Sequence, residues 1–320
     1  MRAAVVEAFD APPRYGEFAD PVVGDGERLV RVTAAGLHPI VKLLANGSHY
    51  GSGGTLPFVA GVDGVGLLED GTRVFFGVSR PPFGTFAELG LAAGWMCIPL
   101  PDGIDDVTAA GIANPGMSSW VALKGRGGFV AGESVLILGA TGVAGQMSVQ
   151  IAKRLGARRV IAAGRNPEAL EKLKGLGADA VVSLELEGDA LVEALRREIG
   201  VDGVDVVVDY LWGRPAEALL RAISQKGLTK AAPRVRYVQV GSSAGTEISL
   251  PAAALRSSAL ELLGSGFVSA SLEQIRAAVV EFFAMAAMEP FVFEVTAAAL
   301  KDVGELWNER EAGVRLVFQP

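Results

Sequence analysis

The segment Leu136-Ile-Leu-Gly139-Ala-Thr-Gly142-Val-Ala-Gly145 runs an apolar stretch into three glycines spaced three apart. A buried strand that enters a glycine turn and leaves it as a helix is a way for a chain to hold a pyrophosphate. Gly139 permits the tight turn, Gly142 lets the backbone approach a phosphate, and Gly145 lets the helix sit close to the strand. The helix amino terminus then adds unpaired N–H groups and the positive end of its dipole. Downstream, Ala144, Met147, Ile151 and Leu155 share one helical face, Gln146, Gln150 and Lys153 lie off it, and Gly156 stops the helix. The spacing is G-x-x-G-x-x-G, so its weight comes from context: a strand before, a helix after, and a second strand at Arg159-Val-Ile-Ala-Ala.

That second strand ends in Gly164-Arg165-Asn166, with a cation where a carboxylate would grip an adenosine ribose hydroxyl. A guanidinium binds a 2′-phosphate in bidentate fashion and a carboxylate repels it, so the pattern predicts NADPH. Asn166-Pro167 reads as a cap followed by a first-turn proline, opening a helix that ends around Gly177. Three other uses of such a turn lack their residues. A P-loop ends in Gly-Lys-Ser/Thr, whereas Gly145 is followed by Gln146 and Met147. Methyltransferases of similar topology place an acidic residue after the second strand. A short-chain dehydrogenase has a lysine four residues after its tyrosine, but Tyr15, Tyr50, Tyr210 and Tyr237 are followed there by Ala19, Gly54, Arg214 and Gly241.

Outward from the turn, strands at 134–138, 159–163, 180–183, 204–208 and 235–240 alternate with amphipathic segments punctuated by Asp189, Pro215 and Gly227. This is the pattern of an α/β, doubly wound parallel sheet covered on both faces. Before it, Gly- and Pro-rich sequence with runs such as Leu29–Thr33 and Arg73–Phe76 reads as a mostly β domain, and the tail from Phe291 returns to short strands. The expected boundaries are 1–115 completed by 288–320, and 116–287. With 29 basic and 36 acidic residues the net charge is −7, which argues against nucleic acid and anionic membrane partners. A single cysteine, Cys97, allows no intrachain disulfide and fits a reducing cytoplasm. The opening residues Met1–Asp10 run into acidic residues without an apolar core, so no export signal is expected there. In the uncharged stretch Val107–Leu123, Asn114-Pro115-Gly116 is expected to break any spanning helix. Trp95 and Trp120 are expected to pack in the core, and Arg315 to be a solvated strand residue.

Five blocks in this order and spacing resemble the medium-chain dehydrogenase/reductase superfamily, in its zinc-independent quinone oxidoreductase branch. They are Ala34-Ala-Gly36-Leu37, Leu56-Pro-Phe-Val-Ala-Gly61-Val-Asp63-Gly64-Val-Gly66, Phe83-Gly-Thr-Phe-Ala-Glu88, the glycine turn, and Leu176-Gly-Ala-Asp179. The resemblance covers nearly the whole chain. It implies a GroES-like, barrel-like catalytic domain beside a Rossmann domain, with a cleft between them for the nicotinamide. It also implies a homodimer paired along about Leu260–Phe267. For the cofactor it implies contacts from Gly139, Thr141, Gly142, Val143, Ala144, Gly164, Arg165, Asn166, Gly241, Ser242, Phe267, Val268 and Asn114, with Asn114–Ser118 as a hinge. Zinc-containing members have a cysteine early in the chain and a histidine and an acid in the second block. Leu37-His38 and Gly61-Val62-Asp63 stand there instead, so no metal is expected.

Two departures stand out. His38-Pro39-Ile40-Val41 replaces the family's Asn-Pro-x-Asp, and Ala169 occupies the place of a common lysine, whose work falls to Arg165. Without metal or a nucleophile triad, the cofactor supplies the hydride and the protein supplies geometry and charge stabilisation. The resemblance implies quinones and α,β-unsaturated carbonyls as acceptors, with Tyr50 donating to the developing oxyanion and His49 and His38 as proton sources. Two alternatives stay open: an enoyl-thioester reductase, and a nucleotide-binding member with little catalysis.

Overall fold

The computed structural model describes residues 1–200, 202–224, 232–309 and 313–320; the punctuation expected at Gly227 lies outside them. In chain order come β1 (Arg2–Val6), β2 (Arg14–Glu17), β3 (Glu27–Gly36), α1 (Pro39–Ala45), β4 (Phe58–Val59), β5 (Asp63–Leu67), β6 (Arg73–Gly77), β7 (Leu89–Ala93), β8 (Ile98–Pro99) and α2 (Asp106–Trp120). There follow β9 (Ser134–Leu138), α3 (Val143–Arg154), β10 (Arg159–Gly164), α4 (Pro167–Gly175), β11 (Ala180–Ser183), α5 (Gly188–Ile199), β12 (Val206–Asp209), α6 (Gly213–Ile223) and β13 (Arg234–Gln239). The chain ends with α7 (Ala252–Arg256), β14 (Ala259–Gly264), α8 (Leu272–Met288), β15 (Glu294–Ala299), α9 (Val303–Leu306) and β16 (Val314–Gln319). Two compact units result: Met1–Asn114 with Phe283–Pro320, and Pro115–Phe282.

The Pro115–Phe282 unit is built on a six-stranded sheet of order β11-β10-β9-β12-β13-β14, parallel throughout. Strand order reverses on either side of β9, so the crevice beyond its carboxyl end is the topological switch point of a doubly wound fold. All of β9 is buried, and Leu136, Ile161, Val207 and Leu219 have no exposed surface. Such side chains each contribute about 1.5–3 kcal/mol by burial. The expected strands are present. β12 starts two residues later than the sequence pattern suggested, and the Asp205 just before it is tied to β9 by its side chain, its Oδ2 accepting from both the N–H and the hydroxyl of Ser134 at 2.8 Å each. In α3, Met147 and Ile151 are buried as expected while Ala144 and Leu155 of the same expected face are half-buried, and Gln150, placed off that face, is buried. Asp189 and Pro215 open helices, in the first turns of α5 and α6.

In the other unit β3 is the spine, pairing antiparallel with β5, β7 and β16. β15 adds parallel to β16, and β2, β1 and β4 form a separate three-stranded sheet. Val30, Val32 and Phe76 pack with Phe86, Trp307 and Phe318, and the Phe86 and Phe318 rings meet at 5.4 Å between centroids.

Three expectations fail. α2 runs unbroken through Asn114-Pro115-Gly116, with Pro115 inside the helix; the missing N–H costs the helix one donor, the one to the Gly111 carbonyl, without ending it. Trp95 is 40% exposed, whereas Trp120 is buried with its indole N–H on Glu281 at 2.9 Å. Arg315 is buried, because β16 lies inside its sheet rather than at the edge. Among the described residues no helix is long and apolar enough to cross a membrane.

Candidate active site

At the glycine turn, Gly139 has φ +84° and a Cβ on Gly145 would lie 2.3 Å from the Gly139 carbonyl oxygen and 2.5 Å from Ala140 Cα. Only glycine lets α3 start this close to β9. The N–H groups of Gly139 and Ala140 bind the Ala163 carbonyl at 3.0 and 2.9 Å, which fixes the turn against β10. Gly142 is the N-cap of α3 and makes no side-chain cap to the first-turn N–H groups. A Cβ at Gly164 would meet Thr141 at 2.5 Å, so the end of β10 and the turn share one tight corner. Arg165 leaves that corner exposed and without an ion-pair partner among the described residues. Asn166 is already engaged, its Oδ1 accepting from Ala169 N at 3.0 Å as the cap of α4.

The wall across the crevice is organised by Asp209, at the end of β12. Its Oδ1 accepts from the N–H groups of Leu211 and Trp212 at 2.8 and 3.0 Å, and its Oδ2 from the Tyr237 hydroxyl at 2.7 Å. Burial raises the Asp209 carboxyl above its ordinary pKa against these donors, and burial beside Asp209 holds the Tyr237 hydroxyl well above 10. These bonds hold Trp212 at φ +57°, a strained value for a residue with a side chain. The Asp209 carbonyl also takes the N–H groups of Val240 and Gly241, which seats the Gly241-Ser242 turn beside Tyr210. Phe267 and the 87% exposed Val268 follow β14, with β12 and β13 between it and β9.

In the other unit, His38 has no exposed surface and its Nε2 lies 3.1 Å from Asp63 Oδ1. Asp63 Oδ2 accepts from Asn114 Nδ2 at 3.1 Å, which commits a side chain expected on the cofactor. Arg315 donates to the Leu37 carbonyl at 2.6 Å. Burial pushes its guanidinium down to about 10 against the pull of Asp63. Burial lowers the His38 pKa; Asp63 opposes that and Arg315 adds to it. His49 and Tyr50 stand apart from this cluster on an exposed loop, their rings 4.1 Å apart at 32°. His49 Nδ1 accepts from Gly51 N–H at 3.0 Å, so the neutral ring carries its proton on Nε2, and partial burial lowers its pKa. Among the described residues no group of three or more His, Cys, Asp or Glu is arranged to hold a metal.

The family model described as zinc-binding dehydrogenase matches residues 143–284. A protein of Emericella nidulans described as a probable NADPH-dependent quinone reductase is 29% identical, with all of both chains covered. The quinone oxidoreductase of Thermus thermophilus, whose structures include a complex with NADPH, is 25% identical with a TM-score of 0.76 over all of both chains. One segment of a phenolphthiocerol/phthiocerol polyketide synthase polypeptide of Mycobacterium tuberculosis is 34% identical over 81% of this chain and 12% of that protein.

The chain belongs to the medium-chain dehydrogenase/reductase superfamily, in its quinone oxidoreductase branch. Against that family's pattern, His38 in the asparagine position is joined to Asp63, a partner 25 residues away that the sequence did not mark. Asp209 was missed altogether. Its one sequence signal was an acid ending a Val-Val-Val strand, and its role depends on Tyr237, which belongs to a different strand. Arg315 was misread because nothing local to its strand marks Leu37, 278 residues away, as its partner.

Proposed function

We propose that this chain is an NADPH-dependent reductase of quinones or α,β-unsaturated carbonyls that works without a metal. The observation that carries the reading is the glycine corner. The Gly139–Gly145 cradle, which a Cβ would fill, and the uncapped start of α3 fit a dinucleotide pyrophosphate, and the exposed Arg165 at the end of β10 fits a 2′-phosphate. Gly139, Thr141, Gly142, Val143 and Ala144 hold the pyrophosphate, Gly164, Arg165 and Asn166 the adenosine end, and Gly241 and Ser242 the nicotinamide half. Asn114, Phe267 and Val268 remain part of this proposal. NADPH, when bound, supplies a hydride to the acceptor. Tyr50 donates its hydroxyl hydrogen to the developing oxyanion, and His49, whose neutral tautomer presents Nε2–H, delivers the proton. The donor set supports a mechanism without metal: His38 and Asp63 are bonded to each other beside the Arg315 cation.

The match to a polyketide synthase segment favours one second reading, reduction of an enoyl thioester. Homodimer formation along β14 and a cytoplasmic location belong to the same proposal. The test is a panel of quinones, enones and enoyl thioesters followed by NADPH oxidation, beside a binding titration. Turnover of quinones or enones above thioesters is expected. Binding without turnover of any acceptor overturns the reductase reading.

A further inference from the structure

Three hydroxyls from separate elements meet inside the Pro115–Phe282 unit: Ser119 of α2, Ser148 of α3 and Tyr210, the residue after β12. Ser119 and Ser148 have no exposed surface. Ser119 Oγ donates to the Pro115 carbonyl at 2.7 Å, with the Ala144 carbonyl of α3 at 3.3 Å, and Ser148 Oγ donates to Ser119 Oγ at 2.9 Å. Each serine has given its one proton, so the Tyr210 hydroxyl is the donor to Ser148 Oγ at 2.7 Å, with Ser119 Oγ at 2.9 Å. Burial raises this hydroxyl above its ordinary pKa against the serines, which keeps it an O–H. Replacing hydrogen-bonded partners by apolar groups of the same shape is nearly neutral for stability. What a satisfied buried network adds is a fixed position.

The main chain of Tyr210 touches both glycine turns. Its N–H donates to the Leu138 carbonyl at 3.2 Å, and a Cβ on Gly139 would lie 3.4 Å from Tyr210 Cβ. On the other side its carbonyl accepts from the N–H and the hydroxyl of Ser243, at 3.4 and 3.0 Å, and a Cβ on Gly241 would lie 2.7 Å from that oxygen. Each turn is also held separately, Gly139 by the Ala163 carbonyl and Gly241 by the Asp209 carbonyl. Removing the Tyr210 hydroxyl therefore leaves both turns formed and frees the residue between them. We propose that Tyr210 is a positioning residue: its hydroxyl, anchored on α2 and α3, sets the spacing between the Gly139–Gly145 turn and the Gly241-Ser242 turn, so that one dinucleotide spans both. The inference rests on the NADPH reading and deepens it, since neither half of the cofactor alone needs that spacing.

The probe 2′,5′-ADP carries the adenosine end without the nicotinamide, so titrating it beside NADPH separates the turns from their spacing. The Tyr210→Phe variant should bind 2′,5′-ADP within about twofold of wild type and NADPH about fivefold or more weaker. Ser119→Ala with Ser148→Ala, which takes away both acceptors of the Tyr210 proton, should weaken NADPH relative to 2′,5′-ADP in the same way, and it carries the test if the tyrosine variant does not fold. Adding Tyr210→Phe to the serine pair should weaken NADPH no further, because both changes remove one interaction. Equal weakening of both ligands marks a general loosening of the unit and overturns the inference, as do an unchanged NADPH affinity and additive losses in the triple variant. A wild-type chain that binds neither ligand overturns the functional reading instead.

Discussion

Arg165 carries the cofactor assignment as a single charge. It stands exposed just past Gly164, with no partner among the described residues to neutralise it, so its charge is available to a phosphate dianion. Arg165→Ala should raise the KM for NADPH about tenfold or more and leave that for NADH nearly unchanged; equal losses with both cofactors would remove Arg165 from the phosphate site. His38 acts on stability. Unfolded, it titrates near about 6.5; folded, burial lowers its pKa. Below about pH 6.5 the unfolded chain therefore binds the extra proton. Stability falls as pH drops through that window and is fully present above it, with a slope of up to about 1.4 kcal/mol per pH unit. Urea unfolding across pH should show that slope in the wild type and a flatter one in His38→Asn. Glu7, Glu27, Glu261 and Glu281, whose pKa values are lowered mainly by their cationic partners, lose their contribution only further into acid, so the two limbs separate.

The decisive element is the corner formed by β9, its turn and α3. Gly145→Ala places a methyl 2.3 Å from a backbone oxygen that has no rotamer to escape by, so α3 must move off β9. Expected is a loss of NADPH affinity of about tenfold or more with the chain still folded, read by binding titration and melting temperature; unchanged affinity would mean that the corner does not set the phosphate site. This corner and the strands around it were legible in the sequence because hydrophobic period, glycine spacing and the Asn166-Pro167 cap all report local backbone geometry. Elements whose form depends on distant groups were not. The helix through Pro115 survives in a folded environment that local propensity does not describe, and the Asp209 network joins two strands whose pairing the sequence does not spell out. The His38–Asp63 contact lay in two quoted blocks, yet only the fold reveals it as a hydrogen bond.

On the scale of the whole molecule, β14 ends the six-stranded sheet with its outer edge unpaired among the described residues, and Leu262 on it is exposed. An open strand edge is a template for a second copy, and a charged side chain there opposes pairing. Light scattering after gel filtration should show a dimer for the wild type and a shift toward monomer for Leu262→Lys; a monomeric wild type would contradict the dimer proposal. The larger claim is that the chain moves a hydride from NADPH to an electron-poor acceptor and needs no metal to do so. Turnover of an enone by chelator-treated protein with NADPH deuterated at the transferring position tests it most directly. The account predicts an undiminished rate and deuterium bonded to the conjugated carbon of the product, whereas a rate abolished by the chelator, or a product without deuterium, would contradict it.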